Sequence, residues 1–169
     1  DSPGSASTAA ERLYHPHRIM RPLRERVLRA IDRDALVQPG GRLLVALSGG
    51  ADSMALAAIL VDAATDGRFA VAGLVHVNHQ LRGAAADADE RFCREVAQAL
   101  AVPITLERAA VAALARADGV SIEDAGHRAR YAIFDRVVTA QGADAIATGH
   151  TRDDLAETVL LRLVRGAGP

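Results

Sequence analysis

An α/β fold, with a mostly parallel sheet sandwiched by helices, is the architecture this sequence predicts. Three observations point to it. Short apolar runs alternate with segments of helical period along the chain, which is the pattern of strand–helix–strand units. Leu43-Leu44-Val45-Ala46-Leu47 is continuously apolar, as a strand covered on both faces must be. The residues that follow three predicted strands, Ser48–Ser53, His76–Arg82 and Thr148–Glu157, are polar, and in parallel sheets ligands sit outside the carboxyl ends of the strands.

Residues 1–20 are rich in Ser, Ala and Pro without a sustained period and read as a disordered tail or cloning remnant. Residues 21–169 read as one domain. Leu23, Val27 and Ile31 recur at helical spacing after Pro22, a residue suited to a first turn. Gln38-Pro39-Gly40-Gly41 is a break, and the strand Leu43–Leu47 follows. Leu56, Ile59, Leu60 and Ala63 stripe a second helix. Val71–Val77 predicts strand two, with a polar loop over Asn78–Gly83. Phe92, Val96 and Leu100 mark the inward stripe of a helix that stops at Val102-Pro103, and Ile104–Leu106 is a short strand. Val111–Ala117 is weakly helical. Ser121 and Asp124 form a capping box that opens a helix along Ile122, Ala125, Ala129, Ile133 and Val137. Ala143–Ala147 predicts the next strand, and Leu155, Val159 and Leu163 stripe a final helix.

Composition narrows the function. With 169 residues, a net charge of -1 and an apolar half, the chain has material for one ordinary core. The single cysteine, Cys93, excludes a disulfide scaffold, a CxxC redox centre and a four-cysteine zinc site. All 20 basic residues are arginine, which excludes a Walker-type lysine loop and a Schiff-base lysine. A near-zero net charge means that any nucleic-acid contact must come from a local arginine patch. The longest apolar run, Met54–Val61, is too short to span a bilayer, and no secretory signal opens the chain. The expectation is a soluble, cytoplasmic protein without a membrane partner; a homodimer stays open.

Leu47-Ser48-Gly49-Gly50-Ala51-Asp52-Ser53 joins a buried strand directly to a helix. Two glycines let a phosphate approach the main chain, and the free amides and dipole of the helix start favour an anion. Ser48 and Ser53 add hydroxyls. The competing reading is an ordinary turn with a Ser or Asp cap. Asp52 tips the balance: a carboxylate beside bound phosphates repels them unless a divalent cation lies between, which points to Mg2+ with a triphosphate.

In the stretch after the Ala143–Ala147 strand, Asp154 and Glu157 are three residues apart and share one face of the predicted helix, while Asp153 points elsewhere. Thr151 with Asp154 also reads as a capping box. The position at a strand end, opposite a phosphate loop, favours metal or amine binding. His150 is either a cap or a phosphate or ribose contact. A zinc site from His76, His79 and His150 is disfavoured without cysteines and with His76 in a strand. Arg82, Arg128 and Arg130 compete with the usual fate of arginine, a solvated surface. Tyr131, Phe134 and Phe92 are expected in the core.

Ser48–Ser53 resembles the SGGxDS pyrophosphate loop of the PP-loop ATP pyrophosphatases. Gly149 through Thr158 is similar to the GHxxDDxxET segment of the tRNA(Ile)-lysidine synthetases within that superfamily. Leu160–Pro169 looks like their LLRLxRGxGP continuation, His76–Arg82 like their HVxHxLR loop, and Glu123 through Tyr131 like their E-x-x-A-R-x-x-R-Y helix. Together with the first loop, these four stretches in order and register cover most of residues 42–169. One departure stands out: His127 occupies the place of the family's first arginine, with Arg128 beside it.

The resemblance implies a Rossmann-like PP-loop fold and an ATP-dependent C–N ligase. The wobble cytidine of a CAU-anticodon isoleucine tRNA would be adenylated at O2 and attacked by free L-lysine, with AMP leaving. ATP would be held by Ser48, Gly49, Gly50, Ala51, Asp52, Ser53 and His150. Asp52, Asp154, Glu157 and Arg130 would be catalytic, Asp52 and Asp154 would hold Mg2+, and His79, Arg82 and Arg128 would face tRNA or lysine. The family continues past the equivalent of Pro169, so this domain is expected to be truncated and a poor catalyst alone. Other readings are a different PP-loop adenylating enzyme, of tRNA-thiolation or amidotransferase type, and a nucleotide-binding module without chemistry.

Overall fold

Helix α1 (Arg21–Arg33) opens the part of the chain that the computed structural model describes, which is residues 21–149 and the backbone of 162–165. It buries Val27 and Ile31, the predicted stripe, and is tied to the next helix by Arg24, which reaches Asp62 and Asp66 at 2.7 Å each. The elements then run β1 (Arg42–Ala46), α2 (Ala51–Ala64), β2 (Ala70–Asn78), α3 (Ala84–Ala99), β3 (Ile104–Arg108), α4 (Val111–Asp118), α5 (Ile122–Gln141), β4 (Ala145–Thr148) and β5 (Arg162–Arg165). The expected strands and helices up to Thr148 are all present, with their ends shifted by a few residues.

The sheet order is β3-β2-β1-β4-β5. β1 pairs in parallel with both β2 and β4, and β2 with β3. Side chains of a strand alternate between faces, so the apolar run of β1 feeds two cores. Leu43, Val45 and Leu47 join Leu56, Leu60 and Leu74 under α1, α2 and α3. Leu44 and Ala46 join Val75, Ile146, Val111 and Phe134 under α4 and α5. Burying each such leucine stabilises the fold by roughly 1.5–3 kcal/mol. Because the chain leaves β1 towards β2 on one side and reaches β4 on the other, a crevice opens at the carboxyl end of β1.

Ser121 opens α5 as expected, its Oγ accepting the Asp124 amide at 3.0 Å. Three expectations are corrected. Phe92 is 41% exposed, and the inward face of α3 is Ala86, Glu90, Cys93 and Ala97. The helix lies against the loop after β1, with Cys93 Sγ and Asp89 Cβ each 3.8 Å from a Cβ built on Gly49. Ile122 is likewise exposed, at the first turn of α5. Leu163 lies in β5, antiparallel to β4 with Leu163 opposite Ala147, rather than in a final helix. A short apolar run satisfies either period, and here the ladder offered by the free edge of β4 decides. Phe134 is buried and Tyr131 packs beside it, as expected. The expected tail over residues 1–20, Leu155 and Val159 lie outside the described residues.

Candidate functional site

The loop between β1 and α2 is closed by its own two serines. Ser53 Oγ donates to the Gly50 carbonyl (2.9 Å) and accepts both the Ser48 amide (3.1 Å) and the Ser48 hydroxyl (2.9 Å). Ser48 Oγ in turn accepts the Gly50 amide at 3.3 Å. One hydroxyl proton per serine satisfies the whole ring, so both hydroxyls are spent on shape. Gly49 sits at φ +86, a region that L side chains rarely adopt. Gly50 is the N-cap and offers no side-chain acceptor. The amides of Ala51, Asp52 and Ser53, in the first turn of α2, are therefore left for an anion.

Gly149, after β4, packs directly on this loop. A Cβ there would lie 3.0 Å from both the backbone N and the Cα of Ser53, so only glycine permits the approach. At Gly149 the third strand end thus meets the first backbone to backbone.

The end of β1 is also anchored from β2. His76 is buried, and its Nδ1 lies 2.8 Å from the Leu47 carbonyl, so Nδ1 carries a proton and donates it there. Its Nε2 is buried without a partner among the described residues. Cys93 Sγ leans on the same carbonyl at 3.8 Å, and burial pushes its thiol up to about 11, leaving it protonated and inert at neutral pH.

The loop after β2 is organised by side chains from other elements. Asn78 is buried, and its Nδ2 donates to Glu90 Oε2 and Asp87 Oδ1, both at 3.2 Å. Its Oδ1 therefore faces the other way and accepts the Gln80 amide at 2.9 Å. Gln80 holds φ +54, a strained value for a non-glycine residue. Glu90, also buried, is gripped by Arg108 through Nε (2.9 Å) and Nη2 (3.1 Å). Those bonds to Arg108 hold the Glu90 carboxyl below its ordinary range; burial opposes them, and Asn78 adds a further lowering hydrogen bond.

The turn so fixed presents His79 and Arg82. Arg130, from α5, brings its Nη2 to 3.3 Å from His79 Nε2, which accepts. Burial, then the charges of Arg130 and His76, push His79 below the usual histidine value, so it is neutral at neutral pH. Arg82 pairs with Asp89 at 2.5 Å. A cleft of about 330 Å³ at the carboxyl ends of β1 and β2 is lined by Ser48, Ser53, His76, His79, Arg82, Arg130 and Gly149, among others.

The sequence-derived site is therefore partly assembled here. Ser48, Ser53, His79, Arg82 and Arg130 converge on one cleft. Gly49, Gly50 and Ala51 lie in the loop between β1 and α2 that borders it. Asp52 is exposed in the first turn of α2 and is not among the lining residues. Arg128 points away, paired with Asp124 at 2.8 Å on the exposed side of α5. His127 stacks on Tyr131, with ring centroids 4.5 Å apart. His150, Asp154 and Glu157 lie outside the described residues. Among the described residues there is no group of three or more His, Cys, Asp or Glu side chains placed to hold a metal, and no helix is long and apolar enough to cross a membrane. Sequence reasoning missed Asn78 and Glu90. The one signal for Glu90 was its place, with Ala86, Cys93 and Ala97, on the small-residue side of α3.

Comparison with known proteins agrees with this geometry. The model of the PP-loop domain matches residues 20–169. The tRNA(Ile)-lysidine synthase of Geobacter sulfurreducens is 52% identical over 133 residues, covering 79% of this chain and 28% of the relative. That of Thermus thermophilus is 43% identical over 143 residues, covering 85% of this chain and 26% of the relative. The chain thus spans under a third of the length of these curated relatives. The solved U34-tRNA thiolase NcsA from Methanococcus maripaludis, with its [4Fe-4S] cluster, superposes with a TM-score of 0.64 at 20% identity, over 80% of this chain and 47% of that one, a likeness of fold.

Proposed function

The chain belongs to the PP-loop domain family, and from that premise we propose that it is the ATP-handling part of a tRNA(Ile)-lysidine synthase. In this reading the wobble cytidine of a CAU-anticodon isoleucine tRNA attacks the α-phosphate of ATP through O2 and pyrophosphate leaves. The amine of free lysine then attacks C2, and AMP leaves with the oxygen. The observation that supports it most is the convergence of three strand ends on one cleft, with a serine-closed amide loop on one side and His79, Arg82 and Arg130 on the other.

The residues have separable tasks. The amides of Ala51–Ser53 and the α2 dipole receive the pyrophosphate end of ATP, where negative charge grows as the α-phosphate bond breaks. Arg130, oriented against neutral His79, and Arg82 offer cationic donors to phosphate oxygens. Arg82 must then exchange Asp89 for the ligand. Asp52 in the first turn of α2 fits one carboxylate ligand of Mg2+, which typically takes one or two carboxylates plus phosphates. Bound there, Mg2+ would screen the charge of the departing pyrophosphate. His150, Asp154 and Glu157 keep the roles the sequence suggests, a phosphate or ribose contact and an acidic face for metal or the lysine amine. An exposed single-stranded base is the form of substrate such a cleft needs, as in an anticodon loop.

The test, in a full-length protein that carries this domain, is AMP release that requires tRNA(Ile) and free lysine together. Calorimetry should show this chain binding Mg·ATP, and Asp52→Ala should abolish the Mg2+ dependence with the fold kept. ATP binding that is absent, or AMP release indifferent to lysine, would overturn the reading.

A further inference from the structure

The bonds around Asn78 form a relay that begins outside the cleft. Arg108 at the end of β3 grips Glu90 on α3 with two nitrogens. Glu90 Oε2 and Asp87 Oδ1 both face the Asn78 amide, and two carboxylate oxygens accept only, so Asn78 must turn its NH2 towards them. That choice leaves Oδ1 for the Gln80 amide, which is a donor. A flipped Asn78 would set nitrogen against a donor and oxygen against two carboxylates. The Gln80 bond holds a residue at φ +54, and the turn it fixes carries His79 and Arg82 into the cleft. Arg108 and Glu90 are themselves absent from the residues that line it.

We infer that Glu90 is a positioning residue for the cleft: through the orientation of the Asn78 amide it holds the turn at Gln80, and with it the contact between His79 and Arg130. Its importance for nucleotide binding rests on the ATP reading above; its control of His79 does not. Fixed orientation is what allows a few cationic groups to meet a ligand without ordering first, which is where binding free energy is otherwise lost.

Two variants separate positioning from stability. Glu90→Leu and Glu90→Gln both remove the charge that faces Arg108, but only Gln keeps an oxygen where Asn78 needs an acceptor. Nitrogen-detected NMR of the histidine rings follows His79, whose titration is set by burial and by the charges of Arg130 and His76. In Glu90→Leu the turn is released, so the His79 midpoint should rise towards the ordinary histidine value and the affinity for Mg·ATP should fall about tenfold, the scale of one lost charge-assisted contact. Glu90→Gln should restore both to within about twofold of wild type. Asn78→Ala, with Glu90 intact, should reproduce the leucine variant and decides the matter if that variant does not fold. A His79 midpoint unchanged in Glu90→Leu and in Asn78→Ala would overturn the inference. A shifted midpoint in a chain that binds no ATP would leave the relay standing and overturn the ATP reading instead.

Discussion

The loop after β1 closes on itself within the stretch Ser48–Ser53, whereas the loop after β2 is held by side chains from α3 and β3. The first uses two hydroxyls and a glycine at positive φ, all supplied locally. The second uses the buried Asn78 amide at the end of β2, braced by a buried carboxylate and an arginine from elements distant in sequence. Both edge the same cleft. A loop that must offer bare amides to an anion gains from a compact local scaffold, since side chains would crowd the ligand. A loop that must aim long side chains needs its backbone clamped from outside, because those side chains cannot brace themselves.

The sharpest way to break the comparison is at Gly149, where the first loop depends on something non-local. Gly149→Ala sets a methyl 3.0 Å from the Ser53 backbone, and neither side is a flexible chain end. We expect about 2 kcal/mol of lost stability in urea unfolding and a fall in Mg·ATP affinity of more than ~10-fold. Wild-type affinity would mean that the loop yields easily and is less rigid than its serine ring suggests.

Ser53→Ala sharpens the contrast from inside the loop. It removes the acceptor of two bonds and the donor of a third, at a cost of roughly 1–3 kcal/mol for the groups left unpaired. Mg·ATP binding should weaken while the His79 titration stays as in wild type. A shifted His79 would show that the two loops are coupled and that the contrast drawn here is too clean.

Gly49→Ala comes next: the methyl would meet Asp89 and Cys93 at an ordinary contact distance of 3.8 Å, but the φ of +86 is unfavourable. Strain of about 1 kcal/mol is expected, seen as a thermal midpoint lower by a few degrees. Full stability would place the loop in another backbone conformation.

Acid should discriminate the second loop. Glu90 has its carboxyl lowered from an ordinary value of 4.5, chiefly by Arg108. The stability this contributes is fully present above the unfolded-state value and is lost as pH falls through the lower folded value. Urea unfolding from pH 7 to pH 3, values chosen to bracket the ordinary carboxylate range of about 4, should therefore show wild type and Glu90→Gln drawing together at the acid end. Parallel curves would mean that the pair with Arg108 contributes nothing. The smallest effect is chemical: Cys93, raised to about 11 and fully buried, should resist iodoacetamide in the native chain and react on unfolding.

How much of this was legible beforehand follows the same division. Ser48–Ser53 declared its closed geometry because every group it uses lies in one short string, and the polar ends of β1 and β2 marked the cleft. The stripe of α3 misled, because Phe92 offered the period of an inward face while packing buried Ala86, Glu90, Cys93 and Ala97 instead. Leu163 misled because its apolar run suits a helix or a strand, and the edge of β4 chose. Arg128 and Arg130 are two residues apart on one helix and look alike in sequence; packing set one on Asp124 and the other on His79.

By itself the sequence determined the alternation of elements, the buried centre strand and the serine- and glycine-built loop after it, because periodicity, glycine freedom and capping act over a few residues. Only the tertiary structure decided whether Arg128 or Arg130 enters the cleft, which face of α3 is inward, and that Glu90 meets the Asn78 amide behind the turn at Gln80. Those outcomes depend on hydrogen-bond partners and free volume contributed by distant segments, and no short stretch of sequence carries the identity of its partners.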